Sequence, residues 1–251
     1  MTGDEQEERL EGGNATEGVV RVGDTVRKPW LPTTERTIGY LETLRERGID
    51  VPATHGRDER GWLVLNYVPG TLAMDVAPLG TDQVWRVGRL VRSIHDASVG
   101  LPVPDDWPVL LPAYGPDLLC HNDLATWNLI IDGDRLVFID WDGAGPSTRL
   151  WDLAYAAIAF AHLFPGADVA ESAERLAAFV DGYGADRGLR DALPATMIDR
   201  AQAMHDLLRS SHETGREPWG SMYAEGHGEH WHGTVEFIRA HERHWRTALV
   251  D

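Results

Sequence analysis

Four polar residues within a span of twenty positions have the types and spacing that phosphoryl chemistry requires: His121, Asp123, Asn128 and Asp140. A carboxylate that faces a hydroxyl can accept its proton, and carboxylate and amide oxygens are the ligands that Mg²⁺ prefers. Phosphoryl transfer needs both, because the protein contributes mainly positioning and charge neutralisation. We therefore predict that Asp123 faces an acceptor hydroxyl, whereas Asn128 and Asp140 ligate Mg²⁺.

A β-hairpin is predicted to bring these residues together. Residues 128–131 and 135–139 are short apolar runs, and Asp132-Gly133-Asp134 joins them. Glycine tolerates the positive φ of a tight turn, so Asp-Gly between two β-prone runs favours a hairpin. Closing this hairpin places Asp140 nearly level with Asn128, where one metal ion could contact both.

At these residues the sequence resembles the aminoglycoside phosphotransferase and choline kinase-like superfamily, which are small-molecule kinases with a protein-kinase-like fold. The segment from His121 to Asn128 is similar to the catalytic loop, and Ile-Asp-Trp-Asp ending at Asp142 is similar to the metal motif. The usual proline of the family after Ala125 is Thr126 here, which removes no functional group. The resemblance implies ATP and Mg²⁺ as cofactors, transfer to an alcohol group, and a bracing role for His121.

The resemblance also assigns nucleotide-binding roles in the N-terminal part of the chain. A glycine-rich loop is expected at Gly12 and Gly13, and a phosphate-binding strand lysine at Lys28. A helix glutamate is expected at Glu35, and a backbone hinge at Asn66, Tyr67 and Val68. Arg27 is the alternative to Lys28, on the opposite face of the same predicted strand. Glu42 is the alternative to Glu35, because both lie on a helix predicted over residues 33–47.

The resemblance implies an α+β, two-lobed protein-kinase-like fold. A small β-rich lobe that binds the nucleotide is expected over residues 1–68, and a larger, mostly helical lobe with the catalytic and acceptor sites over residues 69–251. Helical periodicity in this second lobe covers residues 81–97, 149–163, 168–180, 194–212 and 228–249.

His95 is predicted to be a hydrogen-bonded core histidine. Asp152 lies on an otherwise apolar helix face and must be hydrogen-bonded there, and the resemblance assigns it to the catalytic-loop backbone.

The net charge of −17 bears on the partners of the protein. It argues against nucleic acid and anionic membranes, since both require basic patches, and it favours a cationic small-molecule acceptor. An aminoglycoside-like antibiotic is the leading acceptor, and a metabolite kinase acting on choline, an amino alcohol or a sugar is the alternative. A catalytically silent nucleotide-binding module is a further alternative. Acceptor contacts are expected in the C-terminal third, at Glu213, Glu217, Glu225, Glu229 and Trp231, although these side chains could equally form a plain solvated surface.

Three remaining features concern location and metal binding. Cys120 is the single cysteine, so an internal disulfide is excluded, and residues 1–9 lack the basic and apolar regions of a signal peptide. We therefore expect a cytoplasmic protein. The clustered His227, His230 and His232 suggest a zinc site, but they do not share one helical face and lack a Cys or Asp ligand. The sequence leaves the oligomeric state and the choice between ATP and GTP open.

Overall fold

The computed structural model describes residues 7–10 and 18–250. The predicted glycine-rich loop at Gly12 and Gly13 lies outside the described residues. The N-terminal part contains an antiparallel sheet of five strands in the order β1-β2-β3-β5-β4. These strands are β1 (Glu7–Arg9), β2 (Val20–Val22), β3 (Thr25–Lys28), β4 (Thr54–Arg57) and β5 (Leu63–Asn66).

One helix, α1 (Thr34–Glu46), follows β3 and packs on this sheet. Its apolar stripe, Tyr40, Leu41 and Leu44, is at most 3% exposed. Each buried leucine stabilises this contact by about 2 kcal/mol. The packing of that stripe sets the rotation of α1 and therefore which side chains the helix presents toward Lys28. The helix predicted over residues 33–47 is found within one residue at each end.

Two small β-structures carry the segment that contains His121, Asp123, Asn128 and Asp140. A three-stranded sheet consists of β6 (Thr71–Leu72), β8 (Leu129–Asp132) and β9 (Arg135–Phe138), and a two-stranded ladder pairs β7 (Leu118–Cys120) with β10 (Gly145–Ser147). The predicted hairpin is β8–β9, in which Leu129 pairs with Phe138 and Asp132 with Arg135. In the turn of this hairpin Gly133 has a φ of 57°. This is the positive φ that a tight hairpin turn requires and that glycine tolerates.

The rest of the described chain is mostly helical. The helices are α2 (Thr81–Ser98), α3 (Arg149–Phe160), α4 (Val169–Tyr183), α5 (Arg187–Thr214), α6 (Trp219–Met222), α7 (Gly228–Ala240) and α8 (Glu242–Val250). Helix α3 is buried along almost its whole length and lies in the core. Helices α2 and α4 cross so closely that a Cβ on Gly88 would lie 2.1 Å from the Phe179 carbonyl oxygen.

Two helix boundaries differ by more than three residues from the prediction. The helix predicted to begin at Pro194 begins at Arg187, because the Asp186 carboxylate caps it by accepting from the Leu189 N–H at 2.9 Å. The helix predicted over residues 228–249 divides at His241, and the Trp245 indole N–H donates back to the Ile238 carbonyl at 3.0 Å.

No helix in the described ranges has the length and apolar character needed to cross a membrane. The lobe boundary placed at residue 68 stays a prediction.

Candidate active site

The loop from His121 to Asn128 connects β7 to the hairpin, and His121 links its two ends. The Asp123 N–H donates to His121 Nδ1 at 3.2 Å, so Nε2 carries the ring proton and donates to the Ile139 carbonyl at 3.1 Å. The imidazole is fully buried, and its ring centre lies 4.4 Å from that of Trp141. His121 therefore ties the catalytic loop to the end of β9, a geometry compatible with the predicted bracing role.

A buried polar chain holds the same loop from behind. Asn122, whose φ is 66°, donates its N–H to Asp152 Oδ1 at 2.8 Å. The other oxygen of Asp152 accepts from His95 Nε2 at 3.0 Å, so His95 Nδ1 must accept from the Tyr183 hydroxyl at 2.9 Å. The Tyr183 oxygen in turn accepts from Arg149 at 3.2 Å. His95 and Asp152 are fully buried and have their ring nitrogens and carboxylate oxygens hydrogen-bonded, as the sequence predicted for both.

Asp123 and Asn128 meet inside the loop. The Asn128 side-chain nitrogen donates to Asp123 Oδ2 at 2.7 Å and to the Asp123 carbonyl at 3.0 Å. Both amide hydrogens are thereby used, which leaves Asn128 Oδ1 as the amide atom that could ligate a cation. Burial raises the pKa of the Asp123 carboxyl, and the nearby Asp140 charge raises it further. His121, Tyr155 and Asn128 lower this pKa, but the net shift is upward. A raised pKa suits a group that must accept a proton.

Asp140 lies beside Asn128, as the hairpin predicts. The Ile139 N–H donates to the Asn128 carbonyl at 2.9 Å, which places Asp140 one residue beyond the level of Asn128. The Asp140 Oδ1 accepts from Lys28 Nζ at 2.9 Å, and Lys28 Nζ also contacts Asp142 Oδ1 at 2.7 Å. Burial opposes the charge of Lys28, but the two carboxylates outweigh it and raise the pKa of Lys28 above its ordinary value. Lys28 holds the pKa of Asp140 below its usual range despite burial.

The structure distinguishes between the two candidate strand cations and places the helix glutamates away from both. Lys28 is 5% exposed and faces Asp140, whereas Arg27 lies on the other face of β3 with Asp58 at 3.7 Å. Glu35 and Glu42 are exposed, and Lys28 forms no ion pair with either of them. The side chains that α1 directs to the Lys28 pocket are Thr37 and Leu41.

The predicted hinge begins at Asn66, the last residue of β5. The N–H groups of Asn66 and Tyr67 donate to the carbonyls of Ala53 and Asp24, both at 2.9 Å or less. In the described part of the chain, the Val68 N–H is the one of these three with no backbone acceptor. If an adenine ring hydrogen-bonds this segment, Val68 is therefore the residue whose N–H it can use.

Two residues beside Asp123 escaped the sequence reasoning. Tyr155 lies beside Asp123 and lowers the pKa of its carboxyl, whereas burial followed by the Asp123 charge raises the pKa of Tyr155 well above its ordinary value. The Arg200 guanidinium lies 4.2 Å over the Tyr155 ring and donates to the Asn122 carbonyl at 3.2 Å. Tyr155 follows Asp152 by three positions on α3, so the shared helix face was a usable signal. Arg200 carries no comparable local signal.

The predicted acceptor residues divide into two groups. Trp231 is 6% exposed and stacks on Tyr155 with ring centres 5.8 Å apart, so α7 reaches the surroundings of Asp123 through one aromatic contact. The four glutamates, Glu213, Glu217, Glu225 and Glu229, are exposed. Glu217 accepts from the Ser221 N–H at 3.1 Å within the α6 turn. The acceptor role of all five residues stays a prediction.

The three clustered histidines do not converge on a common metal position in the described ranges. Within those ranges, the one group of three metal-ligand types that converges is His95, Cys120 and Asp152. The hydrogen bonds already described occupy both nitrogens of His95 and both oxygens of Asp152. This buried group is therefore part of the scaffold of the catalytic loop.

Comparison with known proteins supports the interpretation of the loop and hairpin. The sequence pattern of the phosphotransferase enzyme family matches residues 101–194, which include both. The predicted superfamily resemblance is confirmed. A relative from Methanocaldococcus jannaschii, named "Probable bifunctional tRNA threonylcarbamoyladenosine biosynthesis protein", is 28% identical over 144 residues, which make up 57% of this chain and 22% of that protein. The chain thus spans about a fifth of the length of this curated relative.

Solved structures of the superfamily show that the fold extends over the chain. A choline/ethanolamine kinase family protein from Mesorhizobium loti has a TM-score of 0.63 and 18% identity, covering 97% of this chain and 92% of that one. The amicoumacin kinase hAmiN, solved with AMP-PNP, Ca²⁺ and Ami, has a TM-score of 0.64 and 15% identity, with coverages of 96% and 89%. At such identities the likeness establishes the fold, and the predicted two-lobed kinase-like α+β class is confirmed.

Proposed function

We propose that this protein transfers the γ-phosphoryl group of ATP to a hydroxyl group of a small molecule. The observation that carries the proposal is one constellation at the end of the β8–β9 hairpin. There the Asp123 carboxylate bonds the Asn128 amide at 2.7 Å, and Asp140 contacts the buried Lys28 at 2.9 Å. A carboxylate base, two oxygen ligands and a phosphate-binding cation are the parts that phosphoryl transfer requires.

Each of these residues has a distinct role in the proposed reaction. Asp123 accepts or orients the proton of the acceptor hydroxyl, whose oxygen forms the new bond to the γ-phosphorus while the bond to the ADP oxygen breaks. Lys28 binds the nucleotide phosphates. Asn128 Oδ1 and the Asp140 carboxylate are suited to hold Mg²⁺, which would neutralise phosphate charge. His121 and Asp152 keep the loop in register for this reaction.

We further propose that the acceptor is cationic, with an aminoglycoside-like antibiotic as the leading candidate. The net charge of −17 supports this, because an acidic protein attracts a polycation and must overcome repulsion to bind ATP. Glu229 lies on α7 and Glu225 lies just before it, and both are exposed. Trp231 of the same helix contacts Tyr155. A location in the cytoplasm, where ATP is available, belongs to the same proposal.

An amino alcohol is the second candidate acceptor. The similar structure of the Mesorhizobium loti protein favours it, because that protein belongs to the choline/ethanolamine kinase family. Choline and ethanolamine each carry one positive charge and one hydroxyl, so they meet the same two requirements as an aminoglycoside. The identity of the acceptor would therefore distinguish a role of this protein in antibiotic resistance from a role in metabolism.

A coupled ADP-release screen tests the proposal. Aminoglycosides, other antibiotics, amino alcohols and sugars are offered with ATP and Mg²⁺, and positive reactions are confirmed by mass spectrometry of the phosphorylated product. We expect turnover with at least one amine-bearing alcohol. In Asp123→Asn the turnover should be slower by about 10²-fold or more, the lower end of the typical loss for a general base. Unchanged turnover in that variant would remove Asp123 from the mechanism.

A further inference from the structure

A kinase lysine that binds nucleotide phosphates needs a carboxylate that fixes its position, and in protein kinases a helix glutamate supplies it. By its place in the chain, α1 is the corresponding helix here. Its face toward the Lys28 pocket carries Thr37 and Leu41, neither of which has a charge. This chain must therefore hold Lys28 by another group.

Helix geometry explains why the glutamates of α1 do not reach Lys28. Thr37 and Leu41 are four residues apart and share one face, whereas Glu35 is two residues from Thr37 and lies about 200° around the helix. Glu42 is exposed, and its Oε1 accepts from the Thr54 hydroxyl at 3.4 Å. Rotating α1 to present either glutamate would expose the buried Leu41, so packing opposes this arrangement.

Asp142 makes the shortest contact with the lysine. Its Oδ1 lies 2.7 Å from Lys28 Nζ, compared with 2.9 Å for Asp140, and its side chain is 18% exposed, compared with 37%. Asp142 lies two positions after Asp140, and alternate positions of a regular strand would place both on one face. Here the left-handed backbone of Asp140, with φ 56° and ψ 69°, ends the strand and begins a 3₁₀ turn at Trp141. Both carboxylates reach Nζ from this bend.

The two carboxylates differ in their other duties. Asp140 is the proposed metal ligand, so its charge would be shared between Lys28 and the metal. Asp142 makes the shorter and less exposed of the two contacts with Lys28. We propose that Asp142 is the positioning residue that holds Lys28 toward the nucleotide phosphates, in place of a helix glutamate. This inference rests on the proposed phosphotransferase function and adds a residue to it.

The test compares charge removal at three carboxylates: Asp142→Asn, Glu35→Gln and Asp134→Asn. Asp134 is a matched control on the same hairpin, fully exposed and paired with Arg86. Nucleotide affinity is measured by calorimetry with ADP in the presence of a chelator, so that the result does not depend on the metal, and KM is measured for ATP and for the acceptor. We expect Asp142→Asn to raise the ADP Kd and the ATP KM about tenfold, within the range for coupled pairs, and to leave the acceptor KM unchanged. Asp142→Glu should restore most of the affinity.

A double-mutant cycle shows whether Asp142 acts through Lys28. ADP should bind with equal affinity to Lys28→Met and to Lys28→Met/Asp142→Asn, because the second change removes a partner of a group already lost. This comparison remains informative if Asp142→Asn alone fails to fold, since the double variant leaves no unpaired lysine. A further loss of ADP affinity in the double variant overturns the inference.

The remaining outcomes separate this inference from the proposed function. If the wild-type protein neither binds ADP nor turns over ATP, the proposed function itself fails. If the wild type is active, and Asp142→Asn keeps the wild-type ADP Kd and ATP KM, the assignment of Asp142 alone fails. A tenfold loss of ADP affinity in Glu35→Gln, with none in Asp142→Asn, would return the role to the helix glutamate.

Discussion

Replacing Arg200 by methionine should separate the stability of this protein from its activity. Arg200 is 3% exposed, its Nη2 donates to the Asn122 carbonyl, and its guanidinium lies over the Tyr155 and Trp151 rings at 4.2 and 5.5 Å. Its Nε and Nη1 have no protein acceptor among the described residues. Burial lowers the pKa of this arginine, which reflects the same cost of holding a charge away from water.

The opposing terms in Arg200→Met are similar in size. The desolvated cation–π contact contributes about 2 kcal/mol and the charged hydrogen bond about 1.5–3 kcal/mol. The two unpartnered nitrogens, Nε and Nη1, cost about 1–3 kcal/mol each. Methionine removes all of these and keeps much of the apolar volume. The free energy of unfolding should therefore change by less than about 2 kcal/mol in either direction.

Catalysis should respond more strongly than stability. Arg200 holds the carbonyl of Asn122, the residue before Asp123, and covers the ring of Tyr155, which lies beside the Asp123 carboxylate. A displacement of a catalytic group by about 1 Å can slow the reaction by about 10²-fold. We expect turnover to slow by between about 10-fold and 10²-fold, with the ATP KM nearly unchanged.

Two measurements test this expectation. Urea unfolding gives the stability, and the ADP-release assay gives kcat and KM with whichever acceptor the screen identifies. Arg209→Met is the matched control, because Arg209 lies on the same helix with its side chain 53% exposed. Wild-type turnover in Arg200→Met would show that the loop does not need this contact. A stability loss above about 4 kcal/mol would refute the balance of the terms given above.

Three further predictions concern the metal, the base and the acceptor. Asp140→Ala removes the anionic metal ligand, so its nucleotide affinity should no longer respond to Mg²⁺; calorimetry showing the wild-type Mg²⁺ dependence would contradict the assignment. Tyr155→Phe removes a hydroxyl group that lowers the pKa of Asp123. Since the base works only when ionised, activity is lost as pH falls through that pKa, and the acid limb of kcat/KM should move to higher pH; an unmoved limb would argue against this contact. The KM of a cationic acceptor should rise between about 20 and 300 mM salt, as the Debye length falls from roughly 20 to 6 Å. Glu225→Gln/Glu229→Gln should raise the acceptor KM more than the ATP KM, and a salt-independent KM would favour a neutral acceptor.

The sequence by itself determined the local part of the site. His121, Asp123, Asn128 and Asp140 lie within twenty positions, and the Asp-Gly turn between two β-prone runs sets the register of their hairpin. Turn chemistry and strand alternation act between near neighbours, so they can be read without knowledge of the rest of the fold. Strand alternation likewise placed Lys28 and Arg27 on opposite faces of β3, with Lys28 as the candidate and Arg27 as the alternative.

Only the tertiary structure decided which distant side chains complete the site. Lys28 and Asp140 are 112 positions apart, and Arg200 is 78 positions from the Asn122 carbonyl that it contacts. The predicted helix glutamate depended on the rotation of α1, and periodicity alone left both Glu35 and Glu42 open. Burial of Tyr40, Leu41 and Leu44 sets that rotation and presents Thr37 to the lysine pocket instead. The partner of Lys28 is therefore settled by how the helix packs on the sheet, because a side chain can pair only with a charge that the packed core brings within reach.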